Sequence, residues 1–125
     1  MSFFSVCIPN FNYDSYITET IESILSQDFK DVEICIADNS STDKSEEIIK
    51  EFANKYKFIK TYFNSCNVGF SENLKRAANL ATSDWMIMLS SDDIAYPKAL
   101  KRYFDLISNI FSFKLILFLG LFISG

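Results

Sequence analysis

The sequence predicts an α/β domain: an open, mostly parallel sheet with helices on both faces. Three observations carry this. Four short apolar runs (Phe3 to Ile8, Val32 to Ala37, Phe58 to Phe63, Trp85 to Leu89) start 29, 26 and 27 residues apart. That spacing fits one strand plus one crossover helix. The runs are nearly continuously apolar, as strands covered on both faces are. The stretches between them repeat apolar residues at helical spacing.

Asp14 is placed to cap a first helix, with Ile17, Ile21, Ile24 and Leu25 on one stripe. Asp43 and Glu46 have capping-box spacing ahead of a second, striped by Ile48, Ile49, Phe52 and Tyr56. Ser71 is expected to cap a third, carrying Leu74, Ala77, Ala78 and Ala81. Pro97 suits the first turn of a fourth, with Leu100, Tyr103, Phe104 and Ile107. The order βαβαβαβα, with right-handed crossovers, puts helices on both sheet faces. Residues 1–107 are expected to form this βα domain, and residues 108–125 an apolar tail of different character. After Asp105 its only charge is Lys114, and Leu115 to Ile123 is apolar apart from Gly120. A membrane-spanning helix needs about 20 apolar residues, which the tail does not supply. It is expected to be a core segment exposed by truncation, a non-native stretch or a membrane-associated segment.

The 125 residues, 49% hydrophobic and 22% charged, suffice for one globular core. The net charge of −4 disfavours non-specific nucleic-acid binding, and no nucleic-acid partner is expected. There is no histidine, which excludes a Ser-His-Asp triad, a Cys-His dyad and His-rich zinc sites within this chain. Cys7, Cys35 and Cys66 are odd in number and widely spaced, and read as free thiols of a reducing compartment. No signal peptide precedes the first run, so a cytosolic start is expected.

In an open parallel sheet, ligands bind beyond the carboxyl ends of the strands. All four strand ends are polar here. They read Pro9-Asn10-Phe11-Asn12-Tyr13, Asp38 to Asp43, Asn64 to Ser71 and Ser90 to Pro97. Asp92-Asp93 is the sharpest feature, because adjacent carboxylates repel unless a cation relieves them. Hard oxygen donors suit Mg²⁺ or Mn²⁺; a solvated acidic turn is the plainer alternative. Asp38 can accept a hydrogen bond from a ribose or base, or make an Asx-turn. Phe11 can stack on a base or join the core. Asn67-x-Gly69 allows close backbone approach or simply turns the chain. Neither a G-x-G-x-x-G nor a P-loop pattern is present.

In order and spacing, four blocks resemble family 2 of the glycosyltransferases, whose members have the Rossmann-like GT-A fold. Residues 5–12, SVCIPNFN, look like that family's opening S-V-x-I-P-x-Y-N strand. Residues 34–43, ICIADNSSTD, look like its I-V-D-D-G-S-T-D turn. Asn67 to Ser71 looks like its N-x-G loop, and Trp85 to Asp93 like its D-x-D-containing strand end. The resemblance covers about residues 2 to 107. It implies that Pro9, Phe11 and Asp38 line a nucleoside pocket, with Asp38 on the base or ribose and Gly69 beside it. It also implies that Asp92 contacts ribose or metal, and that Asp93 ligates Mg²⁺ or Mn²⁺ on a diphosphate.

The implied reaction is inverting transfer from a nucleotide-diphosphate sugar, with uridine the commonest base, to an acceptor hydroxyl. A glycan or lipid-linked acceptor in cell-surface glycan or polysaccharide synthesis fits that class. The implied place is the cytoplasm, peripheral to the inner face of the membrane. Phe11 stands where Tyr is usual, Asn39-Ser40 replaces Asp-Gly, and Ser90 stands where many members have the first Asp. The family's general base, an Asp or Glu, belongs to an acceptor half beyond the metal motif. The chain is incomplete relative to that pattern, no catalytic residue is assigned, and no transfer by it alone is expected. A non-catalytic nucleotide-binding module and an inactive truncated fragment are the alternatives. A flavodoxin-like receiver domain would carry an acidic pair after the first strand, where Pro9-Asn10 stands.

Overall fold

The computed structural model of the chain describes residues 2–110 and 122–123. Four parallel strands form one sheet: β1 (Phe4–Asn10), β2 (Val32–Asp38), β3 (Ile59–Phe63) and β4 (Trp85–Met88), in the order β3-β2-β1-β4. Between and after them run α1 (Asp14–Leu25), α2 (Ser45–Lys55), α3 (Phe70–Asn79) and α4 (Ala99–Ser108). A two-residue strand absent from the sequence reading, β5 (Ile94–Ala95), pairs antiparallel with β6 (Phe122–Ile123). The expectations for residues 111–121 and 124–125 of the tail lie outside the described residues. Among those described, no helix is long and apolar enough to cross a membrane.

Period-2 alternation along the strands splits the core in two. Phe4, Val6 and Ile8 of β1, with Val32, Ile34 and Ile36 of β2, pack with Ile17, Ile21 and Ile24 of α1, Ile49 of α2 and Leu100 of α4. Burial of each such side chain contributes about 1.5–3 kcal/mol, so this face holds most of the apolar stabilisation. Cys7, Cys35 and Ala37 point the other way, onto Ala77 of α3, with Leu80, Ala81 and Met86 around them. Small residues there let α3 sit close to the sheet. The sheet is thus covered on both faces. The connections through α1 and α2 build outward to β3, and the one through α3 returns to place β4 beside β1. The strand order reverses between β1 and β4, the kind of switch point beside which open α/β sheets bind ligands.

The helix starts differ from expectation. Asp14 is the first residue of α1 and does not cap it. Its carboxylate instead accepts from the Lys44 N–H (3.2 Å), while Asp43 accepts from the N–H groups of Asp14 (3.0 Å) and Ser45 (2.9 Å). The two helices exchange caps across the sheet edge. Asp43 is consequently held below the usual carboxylate range: burial raises it, but the bonds from Ser45 and Asp14 outweigh that. Glu46 pairs with Lys50 at 2.6 Å, so no capping box forms. Gly69, not Ser71, precedes α3. Pro97 lies before α4, which starts at Ala99 after Lys98 at φ 65°.

A polar yet buried row runs along α1 and just past its end. Thr20 and Ser23 of the helix, with Gln27 after it, grip the segment after β4. The Thr20 hydroxyl lies 2.7 Å from the Asp93 carbonyl and 2.9 Å from that of Ser91. The Ala95 N–H donates to Ser23 Oγ (3.0 Å). Gln27 donates to the Tyr96 carbonyl (2.7 Å) and accepts from the Leu100 N–H (3.3 Å). Backbone groups of Ser91, Asp93, Ala95, Tyr96 and Leu100 are thereby fixed, and this segment carries Asp92 and Asp93.

Candidate functional site

The strand-end loops converge on one cleft of about 480 Å³. The end of β1 supplies Pro9 and Asn10, and the loop after it Phe11 and Tyr13; the turn after β2 supplies Asn39. Asn67, Gly69, Phe70 and Asn73 come from the loop after β3 and the start of α3, and Ser90, Ser91 and Asp92 follow β4. Of the residues expected at a site, Pro9, Phe11, Gly69 and Asp92 therefore line one concavity. Asp38 and Asp93 do not line it.

The cleft has aromatic walls and an amide floor. Phe11 is 41% exposed and Phe70 62%, so neither ring is used by the core. The floor is a relay of asparagines. Arg76 donates to Asn64 Oδ1 (2.9 Å), and Asn64 Nδ2 donates to Asn73 Oδ1 (2.8 Å) and Asn39 Oδ1 (3.1 Å). Asn39 Oδ1 also accepts the Val68 N–H (2.8 Å), and its Nδ2 donates to Asn67 Oδ1 (2.9 Å). Asn73 Nδ2 donates to the Ala37 carbonyl (3.0 Å). The relay pins the loop after β3 to the end of β2. Gly69 opens α3 at φ 85°. A Cβ there would meet nothing within 4 Å, so backbone conformation, not space, calls for glycine. With no side-chain cap on α3, its first N–H groups are left for water or a ligand.

Asp38 lies under the cleft, 1% exposed. Its Oδ1 accepts from Asn10 Nδ2 (2.8 Å) and Ser41 Oγ (2.6 Å), and its Oδ2 from the Ser41 N–H (3.0 Å). This is an Asx-turn with an added cross-strand partner. Asp92 is exposed at the rim, and its Oδ1 accepts from Ser90 Oγ at 2.6 Å. Asp93 is half-buried; burial first, and the Asp92 charge second, push its carboxyl above the usual range. Among the described residues no three His, Cys, Asp or Glu side chains gather as a metal cage. The adjacent carboxylates are hard oxygen donors, the chemistry that Mg²⁺ or Mn²⁺ prefers. Cys7 and Cys35 are buried free thiols, and Cys66 is exposed.

Sequence reasoning singled out the ends of the strands but not Asn10, Asn39 or Asn73 as site residues. The available signal was polar side chains closing an apolar strand and interrupting a helix stripe.

A model of the family described as "Glycosyl transferase family 2" matches residues 5–110. An uncharacterized glycosyltransferase of Methanocaldococcus jannaschii is 38% identical over 107 residues, which cover 84% of this chain and 37% of that protein. Abequosyltransferase RfbV of Salmonella typhimurium is 42% identical over 92 residues, covering 71% of this chain and 28% of that one. Among solved structures, S. aureus TarS residues 1–349 in complex with UDP-GlcNAc superposes with a TM-score of 0.80 at 29% identity. That match covers 87% of this chain and 32% of that one. The chain spans about a third of the length of these relatives.

Proposed function

Since the chain belongs to glycosyl transferase family 2, we propose that it is the donor-binding part of an inverting glycosyltransferase that takes a nucleotide-diphosphate sugar. The observation that carries the reading is the single cleft lined from all four strand ends, with two idle aromatic rings over an amide floor. Planar heterocycles are held this way, by stacking on their faces and hydrogen bonds at their edges. Uridine is the base proposed, in line with the UDP-GlcNAc complex of TarS.

Pro9, Phe11 and Gly69 would line the nucleoside end, with Asp38 supporting it from beneath. Asp92 would face the ribose or metal. Asp92 and Asp93 are the residues that would hold Mg²⁺ or Mn²⁺, a cation that offsets charge on a departing diphosphate. The chain's own part is to bind, orient and partly enclose the donor. Deprotonation of an acceptor hydroxyl, on a glycan or lipid-linked molecule, would fall to a carboxylate of the acceptor half. The proposed setting is the cytoplasmic face of the membrane in cell-surface glycan synthesis.

Calorimetry of the chain with UDP, with and without millimolar Mg²⁺ or Mn²⁺, tests the reading. Binding that strengthens with metal, and loses that gain in Asp93→Ala, is expected. No binding by the folded chain, or equal metal-independent binding by both proteins, would refute it.

A further inference from the structure

This inference rests on the donor-site reading and concerns what holds its two adjacent carboxylates in place. Their own side-chain bonds do little of it. Among the described residues, Asp92 accepts from Ser90 Oγ at 2.6 Å, and the Asp93 carboxyl accepts from no group. The two groups repel each other, so the direction each takes depends on how the backbone beneath them is held. Ser91 and Asp93 flank Asp92, and the Thr20 hydroxyl reaches both of their carbonyls, at 2.9 and 2.7 Å. Among the described residues no other group donates to either carbonyl. A helical threonine can instead spend its hydroxyl on the carbonyl four residues back. That carbonyl, of Tyr16, lies at 3.3 Å, the longest of the three contacts. A hydroxyl has one proton, and the shorter contacts direct it out of the helix to the loop.

Thr20 is 1% exposed and sits within α1, the helix that follows directly on Tyr13 of the cleft wall. The other members of its row fasten backbone past the acidic pair. Ser23 holds Ala95, and Gln27 holds Tyr96 and Leu100. We propose that Thr20 is a positioning residue for the divalent cation that Asp92 and Asp93 would share with a diphosphate. Its hydroxyl fixes the backbone on both sides of Asp92, and so sets the direction of the two carboxylates.

The test is the affinity of the full chain for Mn²⁺ at saturating UDP, read from the electron paramagnetic resonance of free Mn²⁺. Wild type is compared with Thr20→Val, Thr20→Ser and Gln27→Ala, each checked for folding by circular dichroism. Valine keeps the shape of threonine and lacks its proton; serine keeps the proton. The Mn²⁺ Kd should rise about ten-fold in Thr20→Val, the lower end of what groups supporting a metal's ligands contribute. Thr20→Ser should stay within two-fold of wild type. Gln27→Ala, which loosens the same segment beyond the pair, should do so too. UDP affinity without metal should change less than two-fold in all three. An unchanged Mn²⁺ Kd in Thr20→Val would overturn the proposal. So would a loss that serine does not repair, or one of equal size in Gln27→Ala, since a merely structural tether would act alike at both places. Where Thr20→Val does not fold, Thr20→Ala, in which water can enter, takes its place with the same two outcomes. Wild type that binds UDP no more tightly with Mn²⁺ would defeat the donor-site reading itself. Wild type that gains from Mn²⁺, with Thr20→Val gaining equally, would defeat only this inference.

Discussion

β1 and β2 carry a polar pair at each end of their shared ladder. Ser5 faces Glu33 at one end, and Asn10 faces Asp38 at the other. Both carboxylates are buried, and both accept a bond from the β1 side chain. They differ in what surrounds them. Glu33 sits under α3 and is saturated. It takes Ser5 Oγ (2.6 Å), the Thr82 N–H (2.6 Å), Thr82 Oγ1 (3.0 Å) and, at 2.7 Å, the Lys60 ammonium. Asp38 has hydrogen bonds but no ion pair among those described, and its partner Asn10 keeps a buried amide oxygen without a protein partner. The closed end ties β1, β2, β3 and the loop before β4 together. The open end is one bond short. Buried polarity that is fully paired ties elements together, and buried polarity that is one bond short holds them less tightly.

The largest expected break in the comparison is Glu33→Ala. It strips Ser5 and Thr82 of a buried acceptor, and Lys60, about a third exposed, of its partner, so a loss of about 2–4 kcal/mol is expected. Asn10→Ala should cost about 1–3 kcal/mol, since Asp38 keeps Ser41. Urea denaturation measures both. Equal losses would erase the distinction between the two ends.

Acid should separate the ends next. Burial pushes the Glu33 carboxyl up, but Lys60, Ser5 and Thr82 together bring it from 4.5 down to about 2. A folded value below the unfolded one means this stability is complete above about pH 4.5. It is lost as pH falls toward 2. The contribution is roughly 3 kcal/mol by linkage. Glu33→Gln should flatten the stability profile between pH 4.5 and 2, and an unchanged acid slope would show that another group governs it.

Much of the fold was legible because its signals are local. Each apolar run became a strand, and β1 and β2 merely ran on through Asn10 and Asp38, which face each other in register. Convergence of the four loops followed from topology alone. What escaped depended on partners distant in the chain. Glu33 looked like a stray charge in an apolar run, because Lys60 and Thr82 come from later elements. The expected α1 cap failed as a local motif because the Asp14 N–H is held by Asp43 and Asp14 turns to the Lys44 N–H, while Asp43 holds the Ser45 N–H of its own helix as well. Thr20, Ser23 and Gln27 lie off the apolar stripe, yet they are buried against backbone some seventy residues on. Asp38 was visible as a candidate, but its dependence on Asn10 needed the register of two strands.

A smaller effect probes how the acidic loop is held. Gln27→Ala leaves the Leu100 N–H without its partner, while the Tyr96 carbonyl keeps the Ala99 N–H. An unpaired buried group costs about 1–3 kcal/mol, reduced where water enters the gap, so a net loss of about 1–2 kcal/mol is expected. The amide hydrogen of Leu100 should exchange faster, while those of β2 keep their protection relative to global stability. Uniform loss across both would mean that the loop is not separately anchored.

The smallest expected effect has the opposite sign and lies in the turn that supports Asp38. Ser40 adopts φ 60°, the left-handed region, in the turn where Asp38 accepts the Ser41 N–H. The resembling family has glycine at this place. A side chain there costs about 1–2 kcal/mol against the neighbouring carbonyl. Glycine removes that cost but adds freedom to the unfolded chain, which takes back about 0.4–1 kcal/mol. Ser40→Gly should therefore stabilise the fold by about 0.5–1 kcal/mol in urea denaturation. Ser40 itself makes none of the bonds to Asp38, which come from Asn10 and Ser41. UDP affinity should then stay within two-fold of wild type, because the turn keeps its shape. Destabilisation would show that the Ser40 side chain does more than tolerate its backbone. A stabilised variant with much weaker UDP binding would show that strain in this turn is part of how the open end is set.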